Sequence, residues 1–484
     1  MSETHKSKEL TRSLSFFGNI SISVSDISPT TGVFLMFPSV LLTAGTGSFL
    51  SFLVAAMIAL CVALCMGELG ALYPGAGGLY SIVYRVLGRP IGFLALLNYL
   101  IQGIFLPATI AFGAAAYLVK IFPSWTENWT AFGVMVACTI VTILSMKWNA
   151  KFVEVFLILE LVVVGVIAIA ASFHFNQGID SLIHPVALTA DQTSTIPVSW
   201  STLFAAVTVA LFSYNGYDSS INFSEETDQK ANIGKTLFTS AFIGVMAQII
   251  PLFCILLSVP DVKAFLSSSS PINLIGEMYM GKSATLFLNI GAAIAMINCV
   301  LAVILQFSRV YYSAGRDKAF PEKINKFLTT IHPKFKTPWL ATIFMGVLGA
   351  LSCFNSNLVS MVTFTSVTIV LLYATVAVCV IISRVRDKQL YRPFKSPLYP
   401  VIPIIAIIGS IAALSQQASK DLITSAIAFA IALLYYYLYL KPRSQTHWVL
   451  NGQVPTPDSE KIEYTKEQLD AENSISSSEA PLTR

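Results

Sequence analysis

The stretch SDISPTTG, residues 25–32, decides how this chain folds. It is a polar interruption inside an apolar segment that spans roughly residues 13–42 and leads almost at once into a second apolar run. Pro29 lacks a backbone donor and, with Gly32 close by, disfavours a continuous helix. Backbone of this kind is tolerated at membrane depth only where protein or a water-filled cavity surrounds it. A matching interruption, SYNGYD at 213–218, falls inside a later apolar run and carries the turn-forming pair Asn215-Gly216.

The flanking sequence is that of a membrane protein. Hydrophobic residues make up 55% of the 484, and charged residues only 12%, about half the ~25% of a soluble domain. Runs such as 49–66, 153–171 and 424–440 approach the ~20 residues an α-helix needs to cross a hydrocarbon core. Twelve helices use up every long apolar run, near 13–42, 48–72, 90–120, 129–146, 151–172, 199–225, 233–258, 283–314, 337–354, 357–383, 398–415 and 420–440. The expectation is an all-α polytopic membrane protein.

Lysine and arginine test that count, because cytoplasmic loops are enriched in them. Of the 30 basic residues, all but Lys120, Lys263, Lys282 and Lys420 fall on one side. An odd count would scramble this asymmetry, so both termini are expected in the cytoplasm. The membrane would be the plasma membrane, or the inner membrane of a bacterium.

With the N-terminus inside, the first span runs outward and the sixth inward. Broken helices five spans apart then imply two inverted five-helix halves, 13–172 and 199–383, around one site. Two further helices, 398–441, are additions. Residues 1–12 form a cytoplasmic tail, and 442–484, rich in Ser, Glu, Asp and Thr, a flexible one. At each break, freed amides can hold a carboxylate and freed carbonyls an ammonium or cation; an amino acid offers both charges.

Several function classes fall away. All seven cysteines lie in apolar runs without metal-ligand spacing, and read as core-filling residues. The net charge of +4 is scattered over short loops, unlike a nucleic-acid footprint. No catalytic motif appears, and the glycine pair after Pro74 lacks the Lys-Ser/Thr of a phosphate-binding loop. No catalytic residue, cofactor or metal is expected. A channel would need a repeated selectivity element.

Several stretches, in order, resemble the amino acid, polyamine and organocation family of permeases over about residues 12–440. They are ISPTTGVF at 27–34, MGELGALYPGAGGLYSIVYRVLG at 66–88, FSYNGYDSSINFSEET at 212–227, SRVYYSAGRDKAFP at 308–321 and TPWLAT at 337–342. The resemblance implies a leucine-transporter-like fold, secondary active transport and a small amino acid or amine substrate. Carried over by position, Ser28, Pro29, Thr30, Thr31 and Gly32 would line the substrate carboxylate end. Phe212, Ser213, Asn215 and Gly216 would line the other break, with Phe212 where some members place an aromatic gate. Asn98 and Gln102 are polar positions of the third span that could face the cavity. The sequence departs from the family in two places: Pro29-Thr30-Thr31 replaces two glycines and a serine, and Glu160 stands where some proton-coupled members have a lysine.

An ionisable side chain within the bilayer costs a few kcal/mol by insertion scales and asks for a partner or a purpose. Asp26, Glu160 and Asp218 lie deepest. Glu160 could bind a cation or carry a proton, or be structural; Asp26 could attract an ammonium or stabilise the break; Asp218 matches a family acidic position with a gating role. Glu68, Glu225 and Glu226 are expected near the inner mouth within reach of water or lysine, and Arg309 and Arg316 as positive-inside anchors. No histidine falls in a span, so proton coupling would use carboxylates; the coupling ion, H+ or Na+, stays open. The alternatives to an amino acid permease or antiporter are a polyamine or organic-cation transporter and a transporter-like nutrient sensor.

Overall fold

The computed structural model describes residues 14–189, 194–227, 232–355 and 358–450. The N-terminal tail, the C-terminal tail beyond 450 and Lys230 of the charge count lie outside them.

The described residues are mostly helical, as the apolar runs dictate. Among the described residues, seven helical stretches are long and apolar enough to cross a bilayer, with shorter apolar helices at Trp200–Ser213, Trp339–Phe354 and Val401–Ser415. The first stretch, Phe16–Leu72, holds 57 residues, about 85 Å if straight and nearly three times a hydrocarbon core. It is broken twice, at Ser28 and at Gly45. Gly45 adopts φ +54°, and a Cβ there would stand 2.2 Å from the Val186 carbonyl oxygen. That carbonyl belongs to a small antiparallel hairpin, Val186–Leu188 on Thr195–Pro197, which an all-helical reading leaves out.

Water does not suit the outer surface. Ile423, Ile427, Ile431 and Leu434 form an exposed stripe at helical spacing, and Val155, Ile158, Val162 and Ile169 form another on Met146–Ser172. Contiguous apolar stripes of this size call for lipid.

Three elements depart from expectation. The helix Pro271–Arg316 begins a dozen residues before the expected 283 and kinks at Gly281, φ 81°. An amphipathic helix, Leu79–Leu87, lies between two long apolar ones. The chain expected to be flexible from 442 packs against the body through 450. Trp448 is fully buried, stacked on Tyr80 at 5.7 Å and edge-on to Phe93. Its indole N–H donates to the Arg89 carbonyl (2.9 Å), and the Arg89 guanidinium donates to the carbonyls of Ser444, His447 and Trp448. Composition signals the polar tail but not the single aromatic that anchors its start.

Candidate functional site

The two interruptions meet. In the first, helix Phe16–Ile27 ends at Ser28, which takes a left-handed φ of 48°, and Pro29 restarts the helix as its first residue, where a missing N–H costs nothing. A π turn, Gly32–Met36, then leads into Phe37–Ala44. In the second, helix Trp200–Ser213 gives way to turns and resumes at Ser219–Asn222. Gly216 sits at φ +128°, and a Cβ there would lie 2.6 Å from the Asp26 carbonyl carbon and the Ile27 nitrogen. Only glycine allows the two backbones to approach so closely.

Glu160, from the helix Met146–Ser172, docks on the restarted helix. Its Oε1 accepts from the Ser28 hydroxyl (2.6 Å) and the Thr30 backbone N–H (3.0 Å). Ser28 Oγ in turn accepts from the Thr31 N–H (3.2 Å) and hydroxyl (2.8 Å). The Ser28 and Thr30 donors and the positive end of the following helix favour a charged carboxylate here, and complete burial opposes it. Glu160 is fully buried, and its Oε2 has no protein partner.

Asp26 and Asp218 flank the contact, 3% exposed each, and near enough to act on each other electrostatically. Ser219 is the hydroxyl nearest to Asp26 in its surroundings, and in this structure it donates to Ser23, which leaves both Asp26 oxygens without a well-aligned hydrogen bond. Asp218 Oδ2 accepts from Gln306 Nε2 (2.9 Å) and from the Tyr99 hydroxyl.

The other expected residues are spread more widely. Asn98 donates to the Thr368 carbonyl (2.9 Å), and Gln102 donates to Asn98. The pair therefore ties the third apolar helix to Leu358–Arg386, and its amide donors are engaged within the protein. Phe212 is buried. The Ser213 hydroxyl turns back to the Ala210 carbonyl, while Asn215 Oδ1 accepts from Tyr373 (3.1 Å).

Residues overlooked in the sequence complete the arrangement. Gln248, on Ile233–Ser258, donates through Nε2 to the Ser213 carbonyl (2.8 Å) and places its Oε1 against Gly32, so it touches both breaks. Cys299 donates to the Asp26 carbonyl (3.2 Å), which makes it part of the site as well as a packing residue. The missed signal is uncharged: Gln248 and Gln306 are amides inside apolar runs, hidden from a search for ionisable groups.

Ion pairs gather at one end of the site: of the acids expected within reach of water or lysine, Glu225 is partly exposed, whereas Glu68 and Glu226 are buried against arginines. Arg309, 1% exposed, donates to both oxygens of Glu226 (2.7 and 3.2 Å) and lies over the Phe223 ring. It is no surface anchor, because helix Pro271–Arg316 carries it a further two turns inside its own end. Glu68, fully buried, accepts from Arg384 (2.6 Å), Arg392 (2.8 Å) and the Ser396 N–H. Arg316 binds Glu225 at 2.8 Å. Below the break, Asn19 donates to Thr227, and Ser23 pairs with Ser220 at 2.7 Å. A cavity of about 620 Å³ beside Trp125, Trp129 and Ile297 carries no charged residue and does not touch the breaks.

Comparison with known proteins fits this architecture. Residues 14–446 match the family described as "Amino acid permease". Over 91% of its length the chain is 25% identical to the branched-chain amino acid permease BcaP of Bacillus subtilis, covering 96% of that protein. It is 23% identical to the serine/threonine exchanger SteT of Bacillus subtilis, with 85% of this chain and 93% of the exchanger aligned. It is also 28% identical to the low-affinity putrescine importer PlaP of Escherichia coli, with 61% of this chain and 64% of the importer aligned.

Proposed function

The chain belongs to the amino acid permease family, and from that premise we propose that it is a secondary transporter carrying an amino acid or a related amine by alternating access, through proton coupling or exchange. The observation that carries this reading is the contact of Gly216 with Asp26 and Ile27. Two helix breaks pressed together among buried acids create one polar place inside an apolar body.

In this reading the chain makes twelve spans, in two inverted halves of five at 13–172 and 199–383, with 398–441 added. The breaks fall in the first and sixth apolar segments, as that symmetry requires. The basic loops put both termini in the cytoplasm, in the plasma membrane or a bacterial inner membrane. The pairs Arg309 with Glu226 and Glu68 with Arg384 and Arg392 then close the cytoplasmic path. Because Phe16–Ile27 is hydrogen-bonded to the segment 219–227, the inner half-helices move as one piece when that path opens. Glu160 is the group placed to carry a proton, since its partners belong to the break itself.

Two substrate classes compete. BcaP and SteT are named for amino acids; PlaP is named for putrescine, and the buried acids favour that second, amine reading. The test is counterflow in liposomes containing the purified protein, with pooled radiolabelled amino acids and amines. Saturable accumulation from any pool is the expected result. No accumulation by folded protein would turn the reading toward a sensor.

A further inference from the structure

We infer that the solute this site accepts is an organic cation with a primary ammonium and no carboxylate, because Glu160 already stands where a ligand carboxylate would bind. This rests on the transport reading above and narrows it.

The donors of the first break are committed. A ligand carboxylate at a restarted helix needs N–H and hydroxyl groups pointing at it. Here the Thr30 N–H and the Ser28 hydroxyl both go to Glu160 Oε1, and the Thr31 N–H and hydroxyl both go to Ser28. An incoming carboxylate would have to evict Glu160 and share a buried place with it and with Asp26, and like charges so close cost several kcal/mol.

The atoms left over want the opposite partner. Asp26 Oδ1 and Oδ2, Glu160 Oε2, Asp218 Oδ1 and Gln248 Oε1 are buried without a protein partner. All five can accept a hydrogen bond, and the four carboxyl oxygens carry charge when their acids are ionised. Beside them lies the buried hydroxyl of Tyr217, whose ring packs against Tyr373, a single donor for five atoms. Gln248 is the independent sign of a ligand. It is an uncharged, fully buried amide whose Nε2 is satisfied by Ser213 while its Oε1 faces Gly32 with nothing to accept from. Leaving an acceptor buried and unmatched costs about 1–3 kcal/mol. An ammonium brings three donors and the charge the acids lack. The basic residues near the site are spoken for elsewhere, Arg309 by Glu226 and Arg384 by Glu68.

The experiment measures thermal unfolding of the purified full-length protein in detergent with putrescine, leucine or NaCl as probes. Putrescine should raise the midpoint saturably, and leucine at equal concentration should not. Glu160→Gln and Asp26→Asn should each weaken the putrescine effect by about 10- to 100-fold while their unliganded midpoints stay at or above that of the parent. A leucine-induced shift in the parent would overturn the inference. So would a putrescine shift untouched by both substitutions, or a sodium shift to which putrescine adds nothing. Liposome counterflow separates the two claims: putrescine binding without counterflow keeps this inference and removes transport, whereas leucine counterflow keeps transport and removes this inference.

Discussion

Gln248 fills the space that a side chain at Gly32 would need: a Cβ on that glycine would lie 2.0 Å from the Gln248 amide oxygen and 2.3 Å from its carbon. The same amide donates to the Ser213 carbonyl at the other break. One side chain thus sets the spacing between the two interrupted helices.

Gly32→Ala therefore pushes Gln248 away from Ser213 and spreads the breaks. Overpacking of this kind costs about 1–3 kcal/mol. The variant should unfold at a lower temperature and lose most counterflow. Adding Gln248→Ala removes the clash and should recover much of the midpoint without restoring transport, since the bridge is gone. If the two midpoint losses simply add, the glycine and the glutamine do not constrain each other.

The pair Arg309 with Glu226 is buried on both sides, at 1% and 3% exposure. Removing one member leaves the other charge unpaired, which costs about 3–5 kcal/mol. Arg309→Met should therefore destabilise the purified protein far more than Arg309→Met combined with Glu226→Gln. Unfolding midpoints of the two variants decide the point, and equal losses would mean that the pair contributes little.

Much of this architecture can be read from the residues alone, and the parts that cannot share a physical cause. Pro29, Gly32 and Asn215-Gly216 announce the breaks because backbone preferences are local, and the apolar runs announce the helices because length and composition suffice. Partners across the fold are not local. Nothing near Glu68 in sequence indicates Arg384 and Arg392, more than 300 positions away, and nothing near Arg309 indicates that its helix keeps it buried. Gln248 escapes notice because an amide carries no charge to betray its cost. Trp448 escapes it because one aromatic does not alter the composition of a polar tail.

Trp448 anchors the chain after Arg443 between Tyr80, Tyr84 and Phe93. Truncating a buried tryptophan costs about 3–5 kcal/mol, and here the loss falls on local opening of residues 444–450. In Trp448→Ala, trypsin should cut after the exposed Arg443 about 100-fold faster or more. The rate of loss of the C-terminal fragment, followed by mass spectrometry, checks this; an unchanged rate would show that the Arg89 hydrogen bonds hold the segment without the indole.

Glu68 gathers Arg384, Arg392 and the Ser396 N–H onto the end of the helix Ser48–Leu72, and Arg384 also lies 4.3 Å from the centre of the Tyr399 ring. If these contacts hold the cytoplasmic path shut, weakening them should expose what lies just inside. Cys65, three residues before Glu68 and fully buried, is a native reporter. In a variant with the other six cysteines replaced by alanine, Glu68→Gln removes the charge that both arginines share, and breaking a buried pair costs about 3–5 kcal/mol. Because the substituted amide can still accept hydrogen bonds, part of that cost is recovered, so the labelling of Cys65 by N-ethylmaleimide should rise about 10- to 100-fold. A rise that a tightly bound solute reverses would identify Glu68 as a gate residue coupled to the central site. A rise that no solute reverses would mean local fraying, and no rise at all would mean that the clamp is structural and the inner path opens elsewhere.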